Sequence, residues 1–176
     1  MRFNEYIKLA LRTEIKLKDN KERRLHAVLG LASEINEVLH SITKSNRIEE
    51  IGDVAWFTAL LCDSINYPES SMNHPHHQHF TVDEGNLTGI VSHLCDAVKR
   101  EYIYGKVYDR CPYSVGCSDL LGWLRVYAAL ANTSLEAICD LNIEKLKLRY
   151  PTHFTNKASD LRDTEAEGAI FTKHYE

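Results

Sequence analysis

The chain has 176 residues, 44% hydrophobic and 26% charged, a balance that suits one folded domain and excludes wholesale disorder, collagen and low-complexity sequence. Lys and Arg number 21 against 25 Asp and Glu, giving a formal charge of -4, so there is no cationic field to hold a nucleic-acid backbone nonspecifically. Five cysteines without a CxxC pair point to neither a disulfide framework nor a zinc knuckle. The opening MRFNEYIKLALRTEIK scatters charges through its apolar positions, and nowhere do about 18 uncharged apolar residues run together. A cytoplasmic protein that engages neither membrane nor nucleic acid is expected.

Only 4 Pro and 8 Gly interrupt the chain, so the predicted class is all-α: an antiparallel bundle of about five to six helices over residues 1–155, then a tail over 156–176. The first helix is expected over Phe3–Leu17, with Phe3, Tyr6, Ile7 and Ala10 on its buried face. The second spans about Glu22–Thr43 on a stripe of Leu25, Val28, Leu29, Ala32, Ile35, Leu39 and Ile42. The third, about Ile48–Ile65, is apolar on most sides. Residues 68–85 read as a loop broken by Pro68 and Pro75, where His74, His76, His77 and His79 crowd together without a spacing that fixes a metal geometry. A fourth helix is predicted over Asn86–Tyr104, an irregular insertion over 105–117, and a fifth helix over Ser118–Ala131. The sixth begins at a capping box of Thr133 and Glu136 and stops before Pro151, and the tail reads as a loosely docked last helix.

Two acidic pairs stand in neighbouring helices, Glu34 with Glu37 and Glu50 with Asp53. Residues three apart share a helix face, and a short turn makes the two helices antiparallel neighbours, so the four acids can converge. Convergent carboxylates repel unless a cation neutralises them, and an all-oxygen set favours Mg²⁺ or Mn²⁺, ions that take further ligands from substrate phosphates. On the sixth helix Asn142 sits within an apolar stripe edged by Lys145 and Arg149; either it bonds a neighbouring backbone group while the basic side chains reach water, or, beside an acidic metal site, it meets a sugar hydroxyl or metal-bound water and Lys145 a phosphate oxygen. Glu49 reads as a solvated charge. A weaker internal echo lays Leu31–Val38 over Ile90–Ala97 and Glu50–Phe57 over Gly116–Trp123, so that His93, Asp96, Gly116 and Asp119 stand where the four acids were.

The blocks GLASEINEV (Gly30–Val38) and EIGDVAWF (Glu50–Phe57), with the ending NIEKLKLRYP (Asn142–Pro151) and Phe154, resemble the MazG-type all-alpha NTP pyrophosphohydrolases, which carry ExxE, a spacer and ExxD. The resemblance implies Mg²⁺-dependent cleavage of a nucleoside triphosphate to the monophosphate and pyrophosphate. It makes Glu34, Glu37, Glu50 and Asp53 the metal ligands, Glu34 and Glu37 the catalytic acids, and Asn142, Lys145 and Arg149 the substrate-binding residues. It also implies a homodimer or homotetramer. The echo resembles the duplicated arrangement of the related dimeric dUTPases. Ser33 stands where many members carry another Glu, and Asn36 where a Gly is common. Trp56 and Phe57 read as core and His26 as surface. The alternative is a non-catalytic helical module that has kept the fold and binds a nucleotide or a protein.

Overall fold

Apolar side chains spaced three and four apart drive the chain into helices, and no strand forms among the described residues. A computed structural model describes residues 1–72 and 84–175. The helices are α1 (Phe3–Ala10), α2 (Asn20–His40), α3 (Lys44–Ser64), α4 (Glu69–Met72), α5 (Glu84–Tyr102), α6 (Arg110–Leu130), α7 (Leu135–Arg149), α8 (Asn156–Asp160) and α9 (Thr164–Tyr175), with a 3₁₀ turn over Leu11–Thr13. The class is all-α as expected, but nine helices are described where a bundle of five to six and one last tail helix were predicted; the surplus is α4 and α8, and α9 is the expected tail helix. His74, His76, His77 and His79 lie outside the described residues. Among those described, no helix is long and apolar enough to cross a membrane.

Helix α3 is the axis of the bundle, and α1, α2, α6, α7 and α9 all pack against it. That explains its all-round apolar character: Ile48, Ile51, Val54, Ala55, Leu60 and Leu61 are each fully buried. Helix α2 returns beside it after only residues 41–43. The turn is clamped by Ser41, whose Oγ donates to the Val38 carbonyl at 2.6 Å and accepts from Arg47 Nε at 3.0 Å. Asp19 and Thr43 cap the two helices by accepting from the backbone N–H groups of Lys21 and Glu22, and of Asn46. The buried face of α2 is narrower than its expected apolar stripe, since Leu29 and Ala32 are exposed and Ile42 lies past the helix end, exposed in the turn.

Three boundaries and the docking of the tail differ from expectation for identifiable reasons. Helix α1 stops at Ala10 because the Thr13 hydroxyl donates to the Ala10 carbonyl at 2.7 Å, tightening the chain into the 3₁₀ turn. Helix α6 starts at Arg110, inside the segment expected to be irregular, because Asp109 caps it and Pro112 sits in the first turn, where a missing N–H breaks no bond. Helix α7 is capped by Ser134, not Thr133, with Ala137 N donating at 3.2 Å. The tail is firmly docked: Glu167 and Phe171 of α9 are buried.

The α2–α3 hairpin closes tightly at Gly30, where an added Cβ would lie 2.2 Å from the Phe57 ring. Gly30→Ala is expected to lower the unfolding free energy by about 1–3 kcal/mol. Urea unfolding reads this, and an unchanged midpoint would show that the ring turns aside without cost.

Candidate functional site

The facing surfaces of α2 and α3 bring Glu34, Glu50 and Asp53 together, one carboxylate oxygen of each lying within 4.8 Å of the others. Among the described residues this is the one group of three or more His, Cys, Asp or Glu side chains gathered so closely. Glu37, one turn beyond Glu34, is exposed; it lines the same cavity but stands outside the triad. Three of the four predicted acids are therefore brought together and the fourth is at the edge. Burial, then repulsion from Asp53, Glu37 and Glu50, pushes the Glu34 carboxyl up to about 7. Burial, then Asp53, likewise lifts Glu50 to about 7. Asn46 Nδ2 donates to Glu50 Oε1 at 2.8 Å and fixes that side chain.

Helix α7 braces the cluster from behind. Asn142 Nδ2 donates to Asp53 Oδ1 at 3.0 Å and its own Oδ1 accepts from the Tyr6 hydroxyl at 2.7 Å. Lys145 Nζ donates to Asp53 Oδ2 at 2.5 Å and pairs with Glu49 Oε1 at 2.9 Å. This close approach depends on Gly52, where a Cβ would lie 3.0 Å from Asn142 Nδ2. Both α7 residues are almost wholly buried, and their polar groups hold Asp53. Burial pulls the Lys145 ammonium down, but Asp53 and Glu49 outweigh it and hold it above the ordinary lysine value. Glu49, expected to be solvated, is part of this network and lines the cavity. It stands four residues before Asp53, a helical spacing that could have placed it there.

The acids open onto a cavity of about 390 Å³ that also takes in His26, Trp56, Phe57, Tyr150 and Phe154. Trp56 and Phe57 meet edge to face with centroids 4.9 Å apart, and His26 meets Phe57 the same way at 5.4 Å. Trp56 Nε1 donates to Thr13 Oγ1 at 3.1 Å and the Ala10 carbonyl at 3.2 Å, so the turn after α1 sets the indole. Trp56 and Phe57 pack against the core, as expected, and also form part of the cavity wall, while His26 is half-buried, not a surface residue. Its buried Nδ1 has no partner within the protein, and burial lowers its pKa. Arg149 also lines the cavity, held by Glu167 of α9, and Arg162 joins it there. Nothing in the sequence pattern tied Arg162 or Glu167 to this site.

A second cavity, about 910 Å³, is lined by α5 and α6 and includes all four counterpart positions, His93, Asp96, Gly116 and Asp119. Though larger, it holds no acidic cluster: Asp96 pairs with Lys99 at 2.5 Å and Arg100 at 2.6 Å. The smaller cavity is the better candidate on chemistry. No family model matches the chain, and no curated protein or solved structure does either.

A carboxyl whose folded pKa lies above its unfolded value holds its proton more tightly in the folded chain. The contribution of Glu34 and Glu50 to stability is therefore complete below about pH 4.5 and is lost as pH rises to about 7. His26, shifted down, works in the opposite sense, so the comparison is with Glu34→Gln and Glu50→Gln. Between pH 5.5 and 8 without metal, each wild-type carboxyl is expected to cost on the order of 1–2 kcal/mol relative to its Gln variant, after allowance for solvent screening. Thermal unfolding at the two pH values reads this, and parallel curves for wild type and variants would contradict the electrostatic account.

Proposed function

We propose that this chain is a Mg²⁺-dependent nucleoside triphosphate pyrophosphohydrolase, splitting the bond between the α and β phosphates to give the monophosphate and pyrophosphate. The observation that carries the reading is that a single cavity presents a carboxylate triad, two arginines and an aromatic wall. A cavity of about 390 Å³ is in the range of small-molecule sites. The donor set fits a hard cation: three carboxylates, of which Asp53 is paired with Lys145 while Glu34 and Glu50 are lifted to about 7 by burial and by the neighbouring acids. Glu34, Glu50 and Asp53 would hold Mg²⁺, or Mn²⁺ in its place, and the ion would supply charge neutralisation at the phosphates.

The remaining work falls to side chains of the chain itself. Asn142 and Lys145 fix Asp53 from behind, so that its outward lone pairs keep one orientation. Glu37, at the cavity wall and outside the triad, accepts the proton of the attacking water as pyrophosphate leaves. Trp56, Phe57 and His26 offer ring faces to the base. Arg149 meets the phosphates. The α5–α6 cavity is the degenerate copy of this site. The protein assembles as a homodimer or homotetramer, for which exposed Ile103, Tyr104 and Val107 offer an apolar surface.

Two observations favour the alternative of a nucleotide-binding module without catalysis: Lys145 already pairs with Asp53, and Ser33 brings a hydroxyl to Glu34 Oε1 at 3.3 Å where another acid would strengthen the site. The two readings separate on turnover. With Mg²⁺ and a panel of NTPs and dNTPs, wild type is expected to release pyrophosphate, and Glu50→Ala to lose about 100-fold or more of that rate while remaining at least as stable as wild type without metal. Orthophosphate as sole product, or an active Glu50→Ala, would defeat the hydrolase; binding without turnover would establish the module.

A further inference from the structure

The carboxylate of Glu167, on α9, is 1% exposed, yet it holds two guanidiniums. Arg149 Nε donates to its Oε1 at 2.9 Å and Arg149 Nη2 to its Oε2, while Arg162 Nη2 reaches Oε2 at 3.1 Å. One negative charge against two positive charges leaves a surplus cation, and an arginine has five N–H donors, so both side chains keep donors beyond those that Glu167 takes. Both line the cavity that holds the carboxylate triad. Arg149 is largely covered, whereas the Arg162 side chain is 43% exposed, as a group that meets a ligand from solvent must be.

The backbone that carries this pair is firmly anchored. Arg162 directly precedes Asp163, whose Oδ1 accepts from Ala166 N at 2.9 Å and caps α9. Phe171 is fully buried where α9 packs on α3 and α7, and the Tyr175 hydroxyl meets Thr133 Oγ1 at 2.7 Å. The C-terminal segment is thus a wall of the site, not an appendage to it.

Resting on the pyrophosphohydrolase reading, we propose that Arg162 binds the terminal phosphates of the substrate together with Arg149, and that Glu167 is the positioning residue that aims both guanidiniums. Arg149 meets the carboxylate as a two-pronged fork and Arg162 through one N–H, which leaves further donors of both guanidiniums for phosphate oxygens. A nucleoside diphosphate is one phosphate shorter and forgoes the outermost of these contacts. The pair therefore selects triphosphates over diphosphates. Glu167 acts through the arginines, because burial leaves it no face to the substrate.

The test uses the full chain, with two readouts: steady-state pyrophosphate release from NTPs, and calorimetric binding of inorganic tripolyphosphate with Mg²⁺. Arg162→Ala is expected to raise KM for triphosphates and weaken tripolyphosphate binding, each by about 10- to 100-fold, with kcat within about threefold of wild type. Arg162→Lys should recover part of both, since charge returns without the fork. Glu167→Gln should shift KM in the same direction with little change in kcat, a split that loss of stability alone would not produce. Because Arg162 is partly solvent-facing, its variants keep the test valid even where Glu167→Gln folds poorly. Wild-type KM and tripolyphosphate affinity in Arg162→Ala would overturn the inference while leaving the hydrolase standing. A wild type that binds Mg²⁺ but hydrolyses nothing would overturn the hydrolase, and tripolyphosphate binding would still decide the role of Arg162.

Discussion

Like charges on adjacent helices repel, and the α2–α3 hairpin nevertheless holds three carboxylates within 4.8 Å of one another. What keeps them there is packing away from the acids. Ile35 and Val38 on α2, with Ile48, Ile51 and Val54 on α3, are buried on the core side, and the three-residue turn leaves the helices no freedom to splay. The repulsion is only partly relieved, by one buried lysine. Burial, with that repulsion added to it, lifts the Glu34 and Glu50 carboxyls to about 7, and a site in that condition gains more from a cation than a well-paired one would.

The other parts of the cavity come from segments far apart in the chain. The 3₁₀ turn after α1 sets Trp56, α7 sets Asp53 through Asn142 and Lys145, and α9 sets Arg149 through Glu167. Tyr6 joins the first two of these, since its hydroxyl reaches Asn142. A ligand in this cavity therefore meets groups held from α1, α2, α3, α7 and α9 at once. Long-range contacts of this kind are the last to be evident from local sequence.

That division decides what could be read beforehand. The helical class, the pairing of α2 with α3 and the convergence of Glu34, Glu50 and Asp53 follow from spacing alone, because three-residue intervals and a short turn fix relative directions. Glu37 shares the spacing but stands outside the triad, since its position farther along α2 brings it to the exposed edge. Asn142 and Lys145 were legible as polar groups on an apolar seam, but not as partners of Asp53, because that depends on α7 crossing α3 at Gly52. His26, Trp56 and Phe57 look like core or surface one at a time and become a wall only when α2 and α3 meet. Arg162 and Glu167 had no local signature at all. At α6, Pro112 and Gly116 misled because a proline in the first turn and a glycine within a packed helix interrupt nothing.

The most direct test of the central claim is crystallographic: the full chain with Mn²⁺ and a nonhydrolysable nucleoside triphosphate, read by anomalous scattering. The account predicts a manganese peak bonded to oxygens of Glu34, Glu50 and Asp53 at about 2.1 Å, with phosphate oxygens completing its shell. Manganese seated elsewhere, or a nucleotide bound with no ion between it and those carboxylates, would contradict it.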